Sequence, residues 1–312
     1  MKKIKTVADM RKELKQRKGI VGYVATMGFL HKGHLSLVER ARQETDTVVM
    51  SIFVNPLQFG PNEDFDRYPR DLERDAQLAE QAGVDILFHP DVKEMYPDTP
   101  LTTVNVSQIT ERLCGVARPG HFTGVATVIS KFFHIIQPDR AYFGLKDAQQ
   151  VAVIEQMVRE LHFPVTIVPC PIVREEDGLA MSSRNVYLSA EERKQALVLN
   201  QALKEAQELI DKGELLKADD LISYITWRIK SQPLAKIDYV ETLSYPKLEP
   251  IERVDKQPSI VAIAAYFGKT RLIDNFLYLG KEDKHVSNDD ERKNSPCHRN
   301  RSQSQLCGKH HN

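Results

Sequence analysis

The amino-acid sequence predicts an α/β fold: a parallel sheet covered by helices on both faces, followed by a smaller α+β unit. Two observations carry this. Over roughly the first 170 residues strand-like and helix-like segments alternate, the signature of βαβ units. Near Val173 the order changes to helices followed by consecutive strand-like runs, which predicts a separate unit with an antiparallel sheet. A chain of 312 residues, 41% hydrophobic, suffices for one large domain or two ordinary ones.

The basic start, MKKIKTVADMRKELKQRKGI, lacks the apolar stretch of a secretory signal. Val7, Met10 and Leu14 instead share one face of a short helix. Ile20 to Thr26 reads as a buried strand, Leu35 to Gln43 as a helix and Thr47 to Val54 as a second strand. Arg70 to Ala82 is an amphipathic helix stopped by Gly83. Val84 to Phe88 is a third strand. Then come a helix from Thr123 to Ile136, ended by Pro138, and a short strand from Arg140 to Phe143. A helix from Asp147 to Leu161 and a strand from Val165 to Val168 complete the alternation. In the second unit, Ser189-Ala-Glu-Glu192 is a capping box opening a long helix to about Asp211. A helix from Ala218 to Lys230 precedes strands at Ile237 to Leu243, Ile260 to Phe267 and Arg271 to Leu279.

Residues 281–312 carry few apolar side chains and cannot offset the entropy of ordering, so disorder is expected there. Cys297, His298, Cys307, His310 and His311 are metal-ligating types, but their spacing matches no zinc pattern and no metal site is assigned. Lys plus Arg and Asp plus Glu both number 43, which gives no support for nucleic-acid binding. No apolar run approaches the roughly 18 residues of a membrane span. The four cysteines form no C-x-x-C pair and read as free thiols of a reducing, cytoplasmic setting.

The strongest chemical signal is Met27-Gly28-Phe29-Leu30-His31-Lys32-Gly33-His34, which follows the first strand and opens the first helix of a βαβ unit. Its two glycines are spaced as in a phosphate-binding P-loop, but His34 and Leu35 stand where Lys and Ser or Thr belong. What remains is H-x-G-H at a helix N-terminus, where unpaired N–H groups and two imidazoles can donate to phosphate oxygens. Alone, the pattern also fits two histidines in a surface turn. Gly178-Leu-Ala-Met181-Ser182-Ser183-Arg184-Asn, at the change of pattern beside Val173, can clamp a triphosphate or serve as a Ser-rich linker. Gly144-Leu145-Lys146-Asp147-Ala-Gln-Gln150 also lies where a strand enters a helix. There Lys146 can neutralise phosphate, while Asp147 can hold ribose or metal, or cap the helix. Asn55-Pro-Leu-Gln58-Phe59 follows the second strand, and Arg118-Pro-Gly-His121-Phe-Thr-Gly124 turns into an apolar helix. Four of the five motifs fall at or near strand carboxyl ends, where open α/β sheets bind ligands.

MGFLHKGH, NPLQF, RPGHFTG, GLKDAQQ and LAMSSRN, in this order and spacing, resemble the pantoate–β-alanine ligase family over roughly residues 1 to 280. The resemblance implies a Rossmann-like ATP- and pantoate-binding domain over 1–173 and a C-terminal α+β lid domain over 174–280. It implies adenylation of pantoate by ATP with Mg²⁺ as phosphate counter-charge, then attack by β-alanine with release of AMP, in a cytoplasmic homodimer. Carried onto this chain, ATP contacts fall on Met27 to His34, Gly144 to Asp147, Val173 and Met181 to Arg184. His34 is the implied proton donor and His31 its partner on the phosphates, with Lys146, Ser182, Ser183 and Arg184 joining them in catalysis. Gln58 and Gln150 match pantoate positions, Gln58 also near β-alanine; Asn55, Arg118 and His121 line the substrate side. Leu145 stands where many relatives carry Glu, which should alter loop polarity while leaving Lys146 and Asp147. The H-x-G-H corner alone also fits a nucleotidyltransferase, or a nucleotide-binding module without turnover.

Overall fold

The computed structural model of the protein describes residues 1–280 except 62 and 64. The expectations for 281–312, Cys297 and Cys307 included, lie outside the described residues. The chain begins with β1 (Lys2–Ile4), α1 (Val7–Leu14), β2 (Val21–Thr26), α2 (Lys32–Glu44), β3 (Thr47–Ile52), α3 (Leu72–Gln81) and β4 (Ile86–Phe88). Two four-residue helices, α4 (Val92–Met95) and α5 (Cys114–Ala117), precede α6 (His121–Ile136), β5 (Arg140–Gly144), α7 (Ala148–Glu160) and β6 (Thr166–Cys170). The second unit holds α8 (Ala190–Ala196), α9 (Val198–Lys212), α10 (Ala218–Lys230), β7 (Ala235–Ser244), β8 (Ser259–Phe267) and β9 (Thr270–Tyr278).

Among the described residues the first sheet has six strands in the order β1-β4-β3-β2-β5-β6, all paired in parallel. Its central strands are buried on both faces, as the near-continuous apolar runs require. Period-two alternation divides them: Tyr23, Val49 and Phe88 join the core under α6 and α7, whereas Val24, Met50 and Leu87 join the core under α2 and α3. From β2 the chain builds outward through β3 and β4, then returns to place β5 on the other side of β2. The carboxyl ends of β2 and β5 therefore face a topological switch point, where connecting loops part and leave a crevice.

The antiparallel sheet β7-β8-β9 uses its two faces differently. Val261, Ile263 and Ala265 pack on α9 and α10 through Leu203, Ile225 and Ile229. Leu243, Ile260 and Ala262 belong instead to the core shared with α6 and α7. The two units thus meet through apolar side chains.

Three local features differ from the sequence expectation. The helix opened by the Ser189 capping box divides at Leu197 into α8 and α9. Leu197 keeps helical dihedrals of −59° and −23°, so the helix bends there without reversing. The stretch holds neither Pro nor Gly to signal this. The three-residue β1 is too short for any periodicity, and pairs with β4 only after the chain has folded back. Similarly, α4 and α5 are single turns with no hydrophobic repeat to reveal them.

One close approach sets up the site. The α6 helix lies against the 3₁₀ turn Pro56–Gln58, and a Cβ on Gly124 would sit 2.4 Å from the Leu57 carbonyl oxygen and 2.6 Å from the Gln58 nitrogen. These are backbone atoms and cannot rotate away. Gly124→Ala should therefore destabilise the protein by about 1–3 kcal/mol, the usual cost of overpacking. Denaturant unfolding measures it, and an unchanged midpoint would show that the turn can shift freely.

Candidate functional site

The corner between β2 and α2 turns through left-handed backbone, with φ of +93° at Gly28 and +50° at Phe29. Asp75 on α3, 1% exposed, holds it by accepting the Phe29 N–H at 2.6 Å and the Leu30 N–H at 2.7 Å. Burial raises the Asp75 carboxyl above its usual range, and the two N–H donors and Arg74 act against that rise. Arg74 donates to the Leu30 carbonyl at 3.0 Å and lies over the Phe29 ring at 5.0 Å. Leu30 is fully buried in the core beneath α2. Sequence reasoning missed Asp75 because, within an amphipathic helix, it reads as one more polar position.

His31 is the N-cap of α2, and its ring stacks on His34 with centroids 3.9 Å apart. The His31 backbone N–H donates to His34 Nδ1 at 3.4 Å. Since Nδ1 accepts, the neutral His34 ring carries its proton on Nε2. His31 Nδ1 is buried with no protein partner among the described residues. Gly33 makes room for this ring, because a Cβ there would lie 2.9 Å from His31 Cε1 and Nδ1. Burial, then the charge of Lys146, lowers the His31 pKa to about 4. Burial, then His31 and Lys146, holds His34 well below its ordinary value. Burial thus favours the neutral form of both rings, and positive charge faces them from Lys146 and, at His31, from Arg74.

Other strand ends converge on this corner. After β3, Asn55 caps the 3₁₀ turn and spends its amide on the protein. Its Oδ1 accepts from Tyr96 at 2.9 Å, and its Nδ2 reaches Gly124 O at 3.1 Å and Gln58 Oε1 at 3.2 Å. Gln58 Nε2 in turn donates to Met27 Sδ at 3.2 Å. His121 Nδ1 donates to the Gln58 carbonyl at 2.9 Å, which leaves Nε2 to accept from Arg118 at 3.2 Å. Burial, then Arg118, lowers His121 to about 4. Arg118 also pairs with Glu63 through its Nε at 2.9 Å. Burial alone would raise Glu63, but Arg118 holds it below the usual carboxylate range. Asn55 thus holds the Gln58 side chain, while His121 and, at 3.4 Å, Arg118 hold its backbone carbonyl.

After β6, Met181 N–H donates to Val173 O at 3.0 Å, closing a hairpin that turns at Gly178 and runs directly into the 3₁₀ turn Ser183–Tyr187, with Ser182 as its cap. Ser182 Oγ accepts from the Arg184 N–H at 3.2 Å, and the Arg184 guanidinium lies over Tyr68 at 5.7 Å. Ser183 Oγ donates to the Phe29 carbonyl at 3.3 Å, joining this turn to the H-x-G-H corner. Two contiguous cavities open here. One, of about 230 Å³, is lined by Met27, His31, Gly33, His34, Asn55, Gln58, Gly144, Val173 and Met181 to Arg184. The other, of about 930 Å³, runs between the two units. Arg118, His121, Lys146, Asp147, Gln150, Ser182 and Arg184 line both. Gly28, Phe29, Leu30, Lys32 and Leu145 line neither; Lys32 is exposed and Leu145 packs against the core. Beyond the predicted residues, Asp75, Arg74, Tyr68, Tyr96 and Glu63 build the site from positions without a motif.

This wall is suited to a large anion. The N-terminus of α2 offers unpaired N–H groups, the imidazoles add neutral donors, and Lys146 and Arg184 add charge. Among the described residues no three His, Cys, Asp or Glu side chains cluster as a metal site. Nor, among those residues, is any helix long and apolar enough to cross a membrane.

The family model described as pantoate-beta-alanine ligase matches residues 1–277. A pantothenate synthetase of Acetivibrio thermocellus is 59% identical over 280 residues, covering 89% of this chain and 99% of the relative. One from Caldicellulosiruptor saccharolyticus is 56% identical, covering 88% and 97%. The crystal structure of pantothenate synthetase from Thermus thermophilus superimposes with a TM-score of 0.84 at 49% identity, covering 88% of this chain and 99% of that one. A pantoate-beta-alanine ligase from Francisella tularensis, solved as a complex with beta-gamma ATP and beta-alanine, gives 0.72 at 34% identity, covering 89% and 97%.

The buried histidines set an acid limit on stability. His31 and His121 fall from an ordinary value of 6.5 to about 4. Below pH 6.5 the unfolded chain takes up protons that the folded one refuses, so stability is full above that pH and drains towards pH 4. His121→Gln should flatten this slope, losing less stability between pH 7 and pH 5 than the wild type, by on the order of 1 kcal/mol. Denaturant unfolding at the two pH values measures it; equal losses would place the titration elsewhere.

Proposed function

Because the chain belongs to the pantoate–β-alanine ligase family and is a ligase, we propose that it condenses pantoate with β-alanine at the expense of ATP, through a pantoyl-adenylate intermediate. The observation that carries this reading is the Ser183 bond to the Phe29 carbonyl. It puts the H-x-G-H corner and the Met181–Arg184 segment on one crevice at the sheet's switch point. A single triphosphate can then contact both.

In the first half-reaction a pantoate carboxylate oxygen attacks the α-phosphorus, and the bond from that phosphorus to the bridging oxygen breaks as pyrophosphate leaves. Negative charge grows on the equatorial oxygens, where fixed donors contribute most. His34 donates from Nε2 and His31 stands beside it, burial favouring the neutral form of both. A triphosphate beside them raises their proton affinity, so each can gain positive character as the nucleotide arrives. Lys146, Arg184 and the Ser182 and Ser183 hydroxyls serve the phosphates. Gln58 and Gln150 are the pantoate ligands, with Gln58 held in place by Asn55, Arg118 and His121.

In the second half-reaction the neutral amine of β-alanine attacks the acyl carbon, AMP departs with the C–O electron pair, and the nitrogen loses a proton. Enclosure of the adenylate protects it from water. Mg²⁺ takes oxygen ligands, and the half-exposed Asp147 carboxylate with the two serine hydroxyls fits a shell supplied mainly by phosphate. When bound, the ion would neutralise phosphate charge. We further place the domain division at residues 173 and 174, and assign the protein to the cytoplasm as a homodimer.

The direct test is pantoate-dependent exchange of labelled pyrophosphate into ATP without amine, with AMP formed once β-alanine is added. No exchange with Mg²⁺ and ATP present would refute the reading. His34→Ala should slow exchange by about two orders of magnitude, the cost of one preorganised donor. A chain ended after Gly280 should keep near-normal activity, since the family match stops at residue 277.

A further inference from the structure

No motif marks Asp274 and Asn275, yet they sit where the second unit meets both loops of the site. They lie mid-strand on β9, opposite Ile263 and Ala262 of β8, with exposures of 3% and 5%. Asn275 Nδ2 donates to the Leu145 and Lys146 carbonyls, each at 3.0 Å. Both amide hydrogens are spent on the turn that carries Lys146, while Asn275 Oδ1 has no hydrogen-bond partner among the described residues. An asparagine here is thus used as a double donor. Asp274 accepts from Arg174 Nη1 at 2.6 Å and Nη2 at 3.0 Å. Arg174 also donates to the Gly178 carbonyl at 3.3 Å, inside the Val173–Met181 hairpin that immediately precedes Ser182 to Arg184. Adjacent residues of one strand therefore hold the two phosphate-facing loops.

We propose that Asn275 and Asp274 are positioning residues for the adenylation step: Asn275 fixes the Lys146 turn and Asp274, through Arg174, fixes the Val173–Met181 hairpin that leads into Ser182 to Arg184. The inference rests on the ligase reading. The groups that touch the nucleotide come from the first unit and from the segment that opens the second, and β9 supplies the frame that aims them. Strand pairing makes that frame stiff. A side chain on a helix-entry turn has no comparable restraint of its own, and small misplacement of a catalytic group costs a large share of rate.

The test uses the full-length protein and the pantoate-dependent pyrophosphate exchange. Asn275→Ala should lower exchange between about tenfold and a hundredfold. Asn275→Asp should lower it at least as much, because a carboxylate would face two carbonyl oxygens. The deciding measurement repeats Asn275→Ala in a Lys146→Ala background. If Asn275 acts through Lys146, the further loss shrinks to less than about threefold, since coupled sites are not additive. A merely structural role would cut exchange equally in both backgrounds, and that result overturns the proposal, as does a single variant within about twofold of wild type. If Asn275→Ala does not fold, Asn275→Ser, which keeps one donor, decides the same comparison. Failure of the ligase reading shows separately, as wild-type protein without exchange, and takes this inference with it.

Discussion

The site depends on a corner that the backbone would not adopt unaided. Between β2 and α2 two successive residues take positive φ, one of them Phe29, for which that region is sterically disfavoured. Asp75 offsets the cost by accepting two N–H groups that the turn leaves unpaired. A buried carboxylate is itself unfavourable unless hydrogen-bonded, so each side of the arrangement satisfies the other. The result is a helix N-terminus presented at the switch point, with His31, Gly33 and His34 on the cavity wall.

Charge is arranged around that corner with similar economy. Burial and Lys146 favour neutral imidazoles, so the site does not gather a dense cluster of cations. Arg118 is engaged by Glu63, and Arg184 rests over Tyr68. An incoming polyanion therefore meets donors already oriented by the protein, which need little reorganisation as charge develops.

Much of this was legible in the sequence, for physical reasons that differ by residue. The strands of the parallel sheet announce themselves because burial on both faces forces continuous apolar runs, and the motif loops because they follow strand ends. The cap at Ser189 is a local pattern and was read correctly, while the bend at Leu197 leaves no trace in composition. Asp75, Glu63, Asp274 and Asn275 were illegible for a common reason. Each acts on a segment far away in the chain, and nothing in the neighbouring residues says which segment that is. Asn55 and His121 were found by motif, but the sequence could not reveal that their polar atoms are spent on bracing Gln58.

The shared core bears on how the crevice can open. Leu243, Leu248, Ile260 and Ala262 of the second unit belong to the same apolar cluster as α6 and α7. Moving the whole unit away would expose them, at roughly 1.5–3 kcal/mol for each large side chain. It would also break the Asn275 bonds to the Lys146 turn. Moving the Val173–Met181 hairpin would break the Arg174–Asp274 ion pair and expose Leu179 and Ala180, whereas the stretch after it meets the H-x-G-H corner through a long hydroxyl bond at 3.3 Å from Ser183. Of these contacts the Ser183 bond is the least costly to open, while β9 remains in place as the frame behind both loops.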